Sequence, residues 1–126
     1  MNELLSQNKS IYLQVSEMIE TDILRGILLE EERVPSTNEL AKLYTIHPAT
    51  AAKGINLLVD ENILYKRRGI GMFVAPGAGE KVLEKRRAAF YDSYICPLVR
   101  EGRSLGLSGQ ALLDMVAQAA GEGEMK

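Results

Sequence analysis

Two helix starts, at Ser36 and at Pro48, constrain the fold of this chain more than any other feature of its sequence. Glu39 follows Ser36 at the spacing of a capping box, in which the side chain of each residue accepts a hydrogen bond from the backbone amide of the other. Pro48 suits the first position of a helix, where the missing N–H costs nothing. The pattern predicts a helix over Thr37–Tyr44, a turn at residues 45–47 and a second helix over Pro48–Glu61.

Two short runs suited to strands follow this helix pair, at Ile63–Tyr65 and Met72–Val74. The basic residues 66–68 and the glycines at 69 and 71 lie between them, so a tight hairpin with a basic tip is predicted. An amphipathic helix over Ile11–Arg25 precedes the set, with a connector that is extended at Arg33–Val34. This order is typical of a winged helix-turn-helix, which most often places one helix in the major groove of DNA and a β-loop beside it.

The predicted fold class is mainly α with a small β-hairpin: a winged helix-turn-helix over residues 1–76 and a helical tail over residues 77–126. Pro76 and Gly77 mark the boundary. The tail pattern predicts a long helix kinked near Pro97 and a last helix that is capped by Ser108 and ends at Gly121.

Two tail helices cannot close a hydrophobic core of their own. We therefore expect the tail to pack against a second copy of the chain; the alternative is that it folds back on the winged domain. The apolar residues predicted for the dimer interface are Leu83, Phe90, Tyr94, Leu98, Leu112, Leu113 and Val116.

The charge distribution favours DNA binding only weakly, and the composition argues against a metal site, a catalytic site and a membrane span. The chain has a net charge of −2, but residues 1–35 carry −4, residues 36–74 carry +2 and the remainder is neutral. Only the helix-turn-helix and its hairpin are therefore basic, which is where a DNA-facing surface would lie.

Cys96 is the only cysteine and His47 the only histidine, so no metal ligand set or catalytic set is evident, and no cofactor is predicted. No apolar run could span a membrane, and we expect a cytoplasmic protein.

The segment from Ile11 to Val74 resembles the GntR family of bacterial transcription regulators. The likeness lies in the run Pro35–Ala41 at the start of the second helix, in Thr50 and Lys53, and in the Arg-Gly-x-Gly-x-Phe-Val run Arg68–Val74. The short tail resembles that of the YtrA subfamily. The resemblance implies a homodimer that represses transcription at an inverted repeat, often near transporter genes. The chain departs from the family pattern at Thr45, at His47-Pro48 and at Lys53-Gly54, where the family usually has Gly, Ser-Arg and Arg-Ala.

The predicted DNA contacts lie at the second helix, the recognition helix and the wing. Thr50 and Lys53 are predicted on the exposed face of the recognition helix, and Ala49 could meet a thymine methyl group. His47 could cap that helix, bind a phosphate or stand in solvent. The wing arginines are expected at the minor groove. The full predicted set is Ser36, which could equally be occupied as a cap, and Asn38, His47, Ala49, Thr50, Lys53, Arg67, Arg68, Gly69 and Gly71.

Two other functions are alternatives to DNA binding. A phosphate-cradling enzyme loop is disfavoured, because the run Gly69-Ile70-Gly71 lacks a third glycine and joins two strands. A winged-helix module that binds protein instead of DNA is the stronger alternative. A small-molecule effector could also bind among the apolar side chains of the tail, although no polar constellation points to one.

Overall fold

Three helices form the first part of the computed structural model, which describes residues 9–124. Helix α1 spans Ile11–Leu24, α2 spans Thr37–Tyr44 and α3 spans Pro48–Asp60. The predicted bounds of α2 are confirmed, and those of α1 and α3 differ by one residue at the C-terminal end. The agreement follows from local signals, because α2 begins at a side-chain cap, α3 begins at a cap and a proline, and each helix ends where its apolar periodicity stops.

A two-stranded antiparallel hairpin follows α3. Strand β1 spans Leu64–Arg67 and β2 spans Gly71–Val74, paired so that Leu64 lies opposite Val74. The extended connector predicted near Arg33 is confirmed: its residue 33 bridges Phe73, and the Val34 amide donates a 2.9 Å hydrogen bond to the Met72 carbonyl. The hairpin is thereby tied along β2 to the segment that leads into α2.

The core of this unit lies between α1, α3 and the hairpin. Small residues let the helices approach closely: Ala51 is fully buried in α3, and Gly54 lies against the first turn of α1. The buried hydrophobic cluster consists of Val15, Ile19, Val34, Leu40, Ala51, Ile55, Leu58, Ile63, Leu64, Val74, Ala78 and Val82.

Ala78 and Val82, the last two members of this cluster, lie beyond the boundary between residues 76 and 77 that the sequence suggests. Gly77 has φ +76°, and the Ala78 amide donates to the Ala75 carbonyl at 3.1 Å. This turn starts helix α4, Ala78–Phe90, directly, so residues 76–79 do not form a free linker. Because Ala78 and Val82 are fully buried in the core, the first compact unit ends at Glu84 and the second begins at Lys85.

The second unit consists of helical segments, with a break at residues 105–108. A π-helical turn, Tyr91–Ile95, leads into α5, Cys96–Ser104, and α6 spans Gly109–Glu124. The irregularity predicted at Pro97 takes this π form: the Cys96 amide donates to the Tyr91 carbonyl five residues earlier. A widened turn accommodates a proline, which has no N–H and would clash with the carbonyl four residues before it.

The start of α6 was predicted correctly and its end was not. The Ser108 hydroxyl accepts a hydrogen bond from the Ala111 amide at 3.1 Å and caps the helix. Gly121 does not end α6, which continues to Glu124. A glycine stops a helix only where the chain adopts a left-handed conformation and turns away, and Gly121 has no positive φ.

Candidate nucleic-acid interface

The N-terminus of α2 is held by the capping box that the sequence predicted. The Glu39 amide donates to the Ser36 hydroxyl at 3.1 Å, and the Ser36 amide donates to the Glu39 carboxylate at 3.0 Å. Hydrogen bonds from the backbone and then from the side chain of Ser36 lower the pKa of Glu39. Ser36 is therefore occupied as a cap, whereas Asn38, the second residue of α2, is exposed.

The turn into α3 contains a strained residue and a histidine cap. Thr45 has φ 53° and ψ 52°, a left-handed conformation that is unfavourable for a β-branched side chain. The Ala49 amide donates to Nδ1 of His47 at 3.0 Å. Of the three roles considered for His47, the structure shows the cap. With Nδ1 accepting, the proton of the neutral ring is assigned to Nε2, which leaves a donor facing outward.

Helix α3 separates a buried face from an exposed one. Ala51, Ile55 and Leu58 are buried, while Ala49 and Lys53 are exposed as predicted. Thr50 is only half exposed, and Asn56 is exposed on the same face as Ala49, one turn beyond Lys53. The exposed face of α3 therefore extends along two turns, beyond the N-terminal residues predicted from the sequence.

The wing is a basic hairpin closed by a tight turn. The Ile70 amide donates to the Arg67 carbonyl at 2.9 Å, and Gly69 at the third position of the turn has φ +76°, which favours glycine. Arg68 is exposed at the tip. The Arg67 guanidinium lies 5.2 Å from the centroid of the Phe73 ring, so it is partly engaged within the hairpin.

Arg33 is a basic residue at this surface that the sequence analysis did not select. A Cβ built on Gly71, which has φ +146°, would lie 2.8 Å from the Arg33 Nε atom. Gly71 therefore leaves room for the Arg33 side chain, and its positive φ favours glycine there whatever the space. No motif marks Arg33, because its placement depends on pairing between the connector and β2.

A groove of about 360 Å³ runs between the start of α2 and the wing. Its floor includes Val34 and Met72, and its rim carries cations and small residues. The structure thus brings together the predicted residues Ser36, Asn38, Arg67, Gly69 and Gly71 and adds Arg33, Thr37 and Lys66. A groove with a helix N-terminus on one side and guanidinium groups on the other favours anionic ligands such as phosphate.

The base of the wing is fixed by a hydrogen bond between Tyr65 and Glu31. The phenol donates to the carboxylate, and this bond raises the pKa of Tyr65. Its ring also stacks on Phe73, with 5.9 Å between centroids. The hairpin is therefore braced on the connector, at the end opposite its tip.

Other kinds of site are not evident in the part of the chain that the structure describes. Residues 9–124 contain no group of three or more His, Cys, Asp or Glu side chains placed to hold a metal ion. Among the same residues, no helix combines the length and the apolar character needed to cross a membrane.

Helix α1, the α2–α3 pair and the braced hairpin define a winged helix-turn-helix. The family model for bacterial regulatory proteins of the gntR family matches residues 11–74, from the first residue of α1 to the last of β2. The chain belongs to this family of bacterial transcription regulators.

Relatives include named repressors. The HTH-type transcriptional repressor YtrA of Bacillus subtilis is 30% identical over 74 residues, which cover 59% of this chain and 57% of YtrA. The arabinose metabolism transcriptional repressor of Halalkalibacterium halodurans is 37% identical over 70 residues, or 56% of this chain. The matched segment spans 19% of that repressor and 30% of the repressor NagR of B. subtilis.

Solved structures agree with the fold. A GntR-family regulator from Bacteroides thetaiotaomicron aligns over 90% of this chain and 98% of its own, with a TM-score of 0.69 and 31% identity. The DNA-binding domain of AraR in complex with operator ORX1 aligns over 60% of this chain and 92% of its own, with a TM-score of 0.51 and 34% identity.

Proposed function

We propose that this chain is a transcriptional repressor that binds a two-fold symmetric operator as a homodimer. The observation that carries the proposal is the likeness of residues 11–74 to a family whose AraR domain has been solved on operator DNA. The proposed repressor has no enzymatic role and acts in the cytoplasm, where its operator lies.

The contacts follow from the exposed groups of the first unit. Helix α3 presents Ala49 and Asn56 to the major groove and Lys53 at the α1 edge of the same face, and Nε2 of His47 can donate to a phosphate at the N-terminus of α3. Arg68 at the exposed tip is assigned to the minor groove. Asn38 and Arg33 line the groove between them, where the backbone of the same strand would run.

Apolar exposure in the second unit supports the homodimer. Of residues 85–122, only Gly102 is buried, and it is a glycine, so no side chain in this range is buried. Of the residues predicted for the interface, Leu112 packs on Gly102 of the same chain and Leu83 is half buried. The other five, Phe90, Tyr94, Leu98, Leu113 and Val116, are exposed. Large apolar groups left in solvent over such a length favour burial against a second copy.

Selection of duplexes from a random pool, followed by fluorescence anisotropy on the selected sequence, tests the proposal. We expect a site with two related half-sites about one helical turn apart. Affinity should fall steeply with salt, with a slope near −0.9 per phosphate contacted. A chain that enriches no sequence and binds no duplex at low salt would instead be a winged-helix module for a protein partner.

A further inference from the structure

The ammonium group of Lys53 lies over the ring of Tyr12. The Nζ atom is 4.1 Å from the ring centroid, inside the range of about 6 Å in which a cation is attracted to an aromatic face. Tyr12 belongs to the first turn of α1 and is half buried, whereas Lys53 is exposed on the outer face of α3. One cation of the recognition face is thus directed towards α1.

Gly54 makes this arrangement possible. A Cβ at position 54 would lie 2.7 Å from the Tyr12 carbonyl oxygen and 3.1 Å from the Val15 Cβ. Any side chain there would force α3 away from the first turn of α1, because the first of these atoms is backbone and cannot swing aside. The absence of a side chain at residue 54 therefore brings the ring of Tyr12 within reach of its neighbour Lys53.

We infer that Tyr12 is a positioning residue, which holds the Lys53 ammonium at the α1 edge of the recognition face so that it binds an operator phosphate and not a base. The inference rests on the proposed function. An ammonium over a ring keeps N–H donors free on its outer side, and lysine binds phosphate as a point charge. A side chain already held on the ring also loses less conformational freedom when it binds than a free lysine does.

The test uses the full chain and its selected operator, with a scrambled duplex as the second ligand. The variants are K53M, Y12L, Y12M, Y12F and the double variant Y12L/K53M. Each is checked by thermal melting before its affinity is measured by anisotropy over a range of salt concentrations. Y12F keeps the ring and removes the hydroxyl, so it is the matched control; Y12M stands in if Y12L does not fold.

We expect K53M to weaken binding by about eightfold at 0.1 M salt, the contribution of one phosphate contact, and to reduce the salt slope by about 0.9. The loss should be equal on both duplexes. Y12L should reproduce much of this loss, Y12F should bind like the parent, and the double variant should be no weaker than K53M.

Three results would overturn the inference: parent-like binding by Y12L, additive losses in the double variant, or a K53M loss confined to the operator. A loss in Y12F would also overturn it, because the hydroxyl and not the ring face would then make the contact. If the parent itself bound no duplex, the proposed function would fail first, and that outcome is distinct from the other four.

Discussion

Arg33 lies against Gly71 across the junction of the connector and the wing, where a Cβ on residue 71 would be 2.8 Å from the Arg33 Nε atom. The two residues are far apart in sequence, and they meet because the connector pairs with β2 through Val34 and Met72. The absence of a side chain at Gly71 therefore leaves room for Arg33, which lines the same groove as the start of α2.

We expect Gly71→Ala to lower the free energy of unfolding by about 1–3 kcal/mol and to weaken DNA binding as well. The φ of +146° strains any side chain, and the new methyl group displaces Arg33. Gly69→Ala is the matched control, because it has φ +76° but nothing within 4 Å of its Cβ. Denaturation reports the backbone strain in each variant, and anisotropy shows whether Gly71→Ala, which also displaces Arg33, loses more affinity than Gly69→Ala. Equal losses of affinity in the two variants would argue against a role for Arg33.

Replacing Thr45 with glycine should stabilise the protein. Thr45 has a left-handed backbone conformation at the C-cap of α2, which costs a β-branched residue about 1 kcal/mol or more. We expect a higher melting temperature for Thr45→Gly and unchanged operator specificity. Asn62→Gly is the control: Asn62 also has positive φ, at 61°, but asparagine tolerates it, so the gain there should be smaller. An unchanged or lower melting temperature for Thr45→Gly would mean that the hydroxyl compensates the strain.

Local signals explain why the helix-turn-helix could be predicted from sequence. Ser36 and Glu39 lie within one turn, and Pro48 acts at its own position, so the starts of α2 and α3 needed no tertiary information. The hairpin was also predicted, because basic and glycine residues separate two runs suited to strands. Its strands were placed one or two residues away from their observed bounds, since pairing with a partner decides where a strand ends.

Contacts between distant residues explain what could not be predicted. Pro76 and Gly77 indicate a linker in isolation, but burial of Val82 in the core joins the first turns of α4 to the first unit. The contact of Lys53 with Tyr12 and that of Arg33 with Gly71 likewise join segments that no sequence window contains together. The sequence therefore predicted which helices and strands carry the candidate site, but it did not predict the contacts between their residues.

Acid should weaken the α2 cap through Glu39. Its pKa is lowered in the folded state from the ordinary value of 4.5, so the ionised form stabilises the fold above that value. As pH falls through the lowered folded pKa, the stabilisation is lost. We expect Glu39→Gln, which keeps an acceptor for the Ser36 amide, to lose less stability than the parent between about pH 6 and about pH 3. Glu84→Gln, an exposed change in α4, serves as the control in the same urea titrations. Parallel curves for the parent and Glu39→Gln would contradict this role of the cap.

Arg68 should contribute to affinity through the wing tip. It is exposed, and no aromatic ring among residues 9–124 holds it, in contrast to Arg67. We expect Arg68→Ala to weaken operator binding by about eightfold at 0.1 M salt if it neutralises one phosphate, and to flatten the salt slope by about 0.9. Arg87→Ala, a matched loss of charge on α4 in the second unit, should leave both quantities unchanged. Identical slopes for the parent and Arg68→Ala would remove the tip from the interface.

Dimerisation should depend on the exposed apolar side chains of the second unit. Phe90 is 52% exposed and its ring lies 5.2 Å from that of Tyr94 at an angle of 34°, and Leu113 is 65% exposed on α6. A carboxylate at either position would have to be desolvated in an apolar interface, which costs several kcal/mol in the absence of a partner. We therefore expect Phe90→Glu and Leu113→Glu to sediment as monomers at concentrations at which the parent is a dimer.

The same variants separate assembly from DNA contact. Because both lie in the second unit, each should still bind a single half-site like the parent, while binding to the full operator falls as the linked second contact is lost. Gln110→Glu, at an exposed polar position in the first turn of α6, should remain dimeric. If Phe90→Glu and Leu113→Glu also remained dimeric, the tail would have to associate through another surface, and the assignment of these apolar residues to the interface would be wrong.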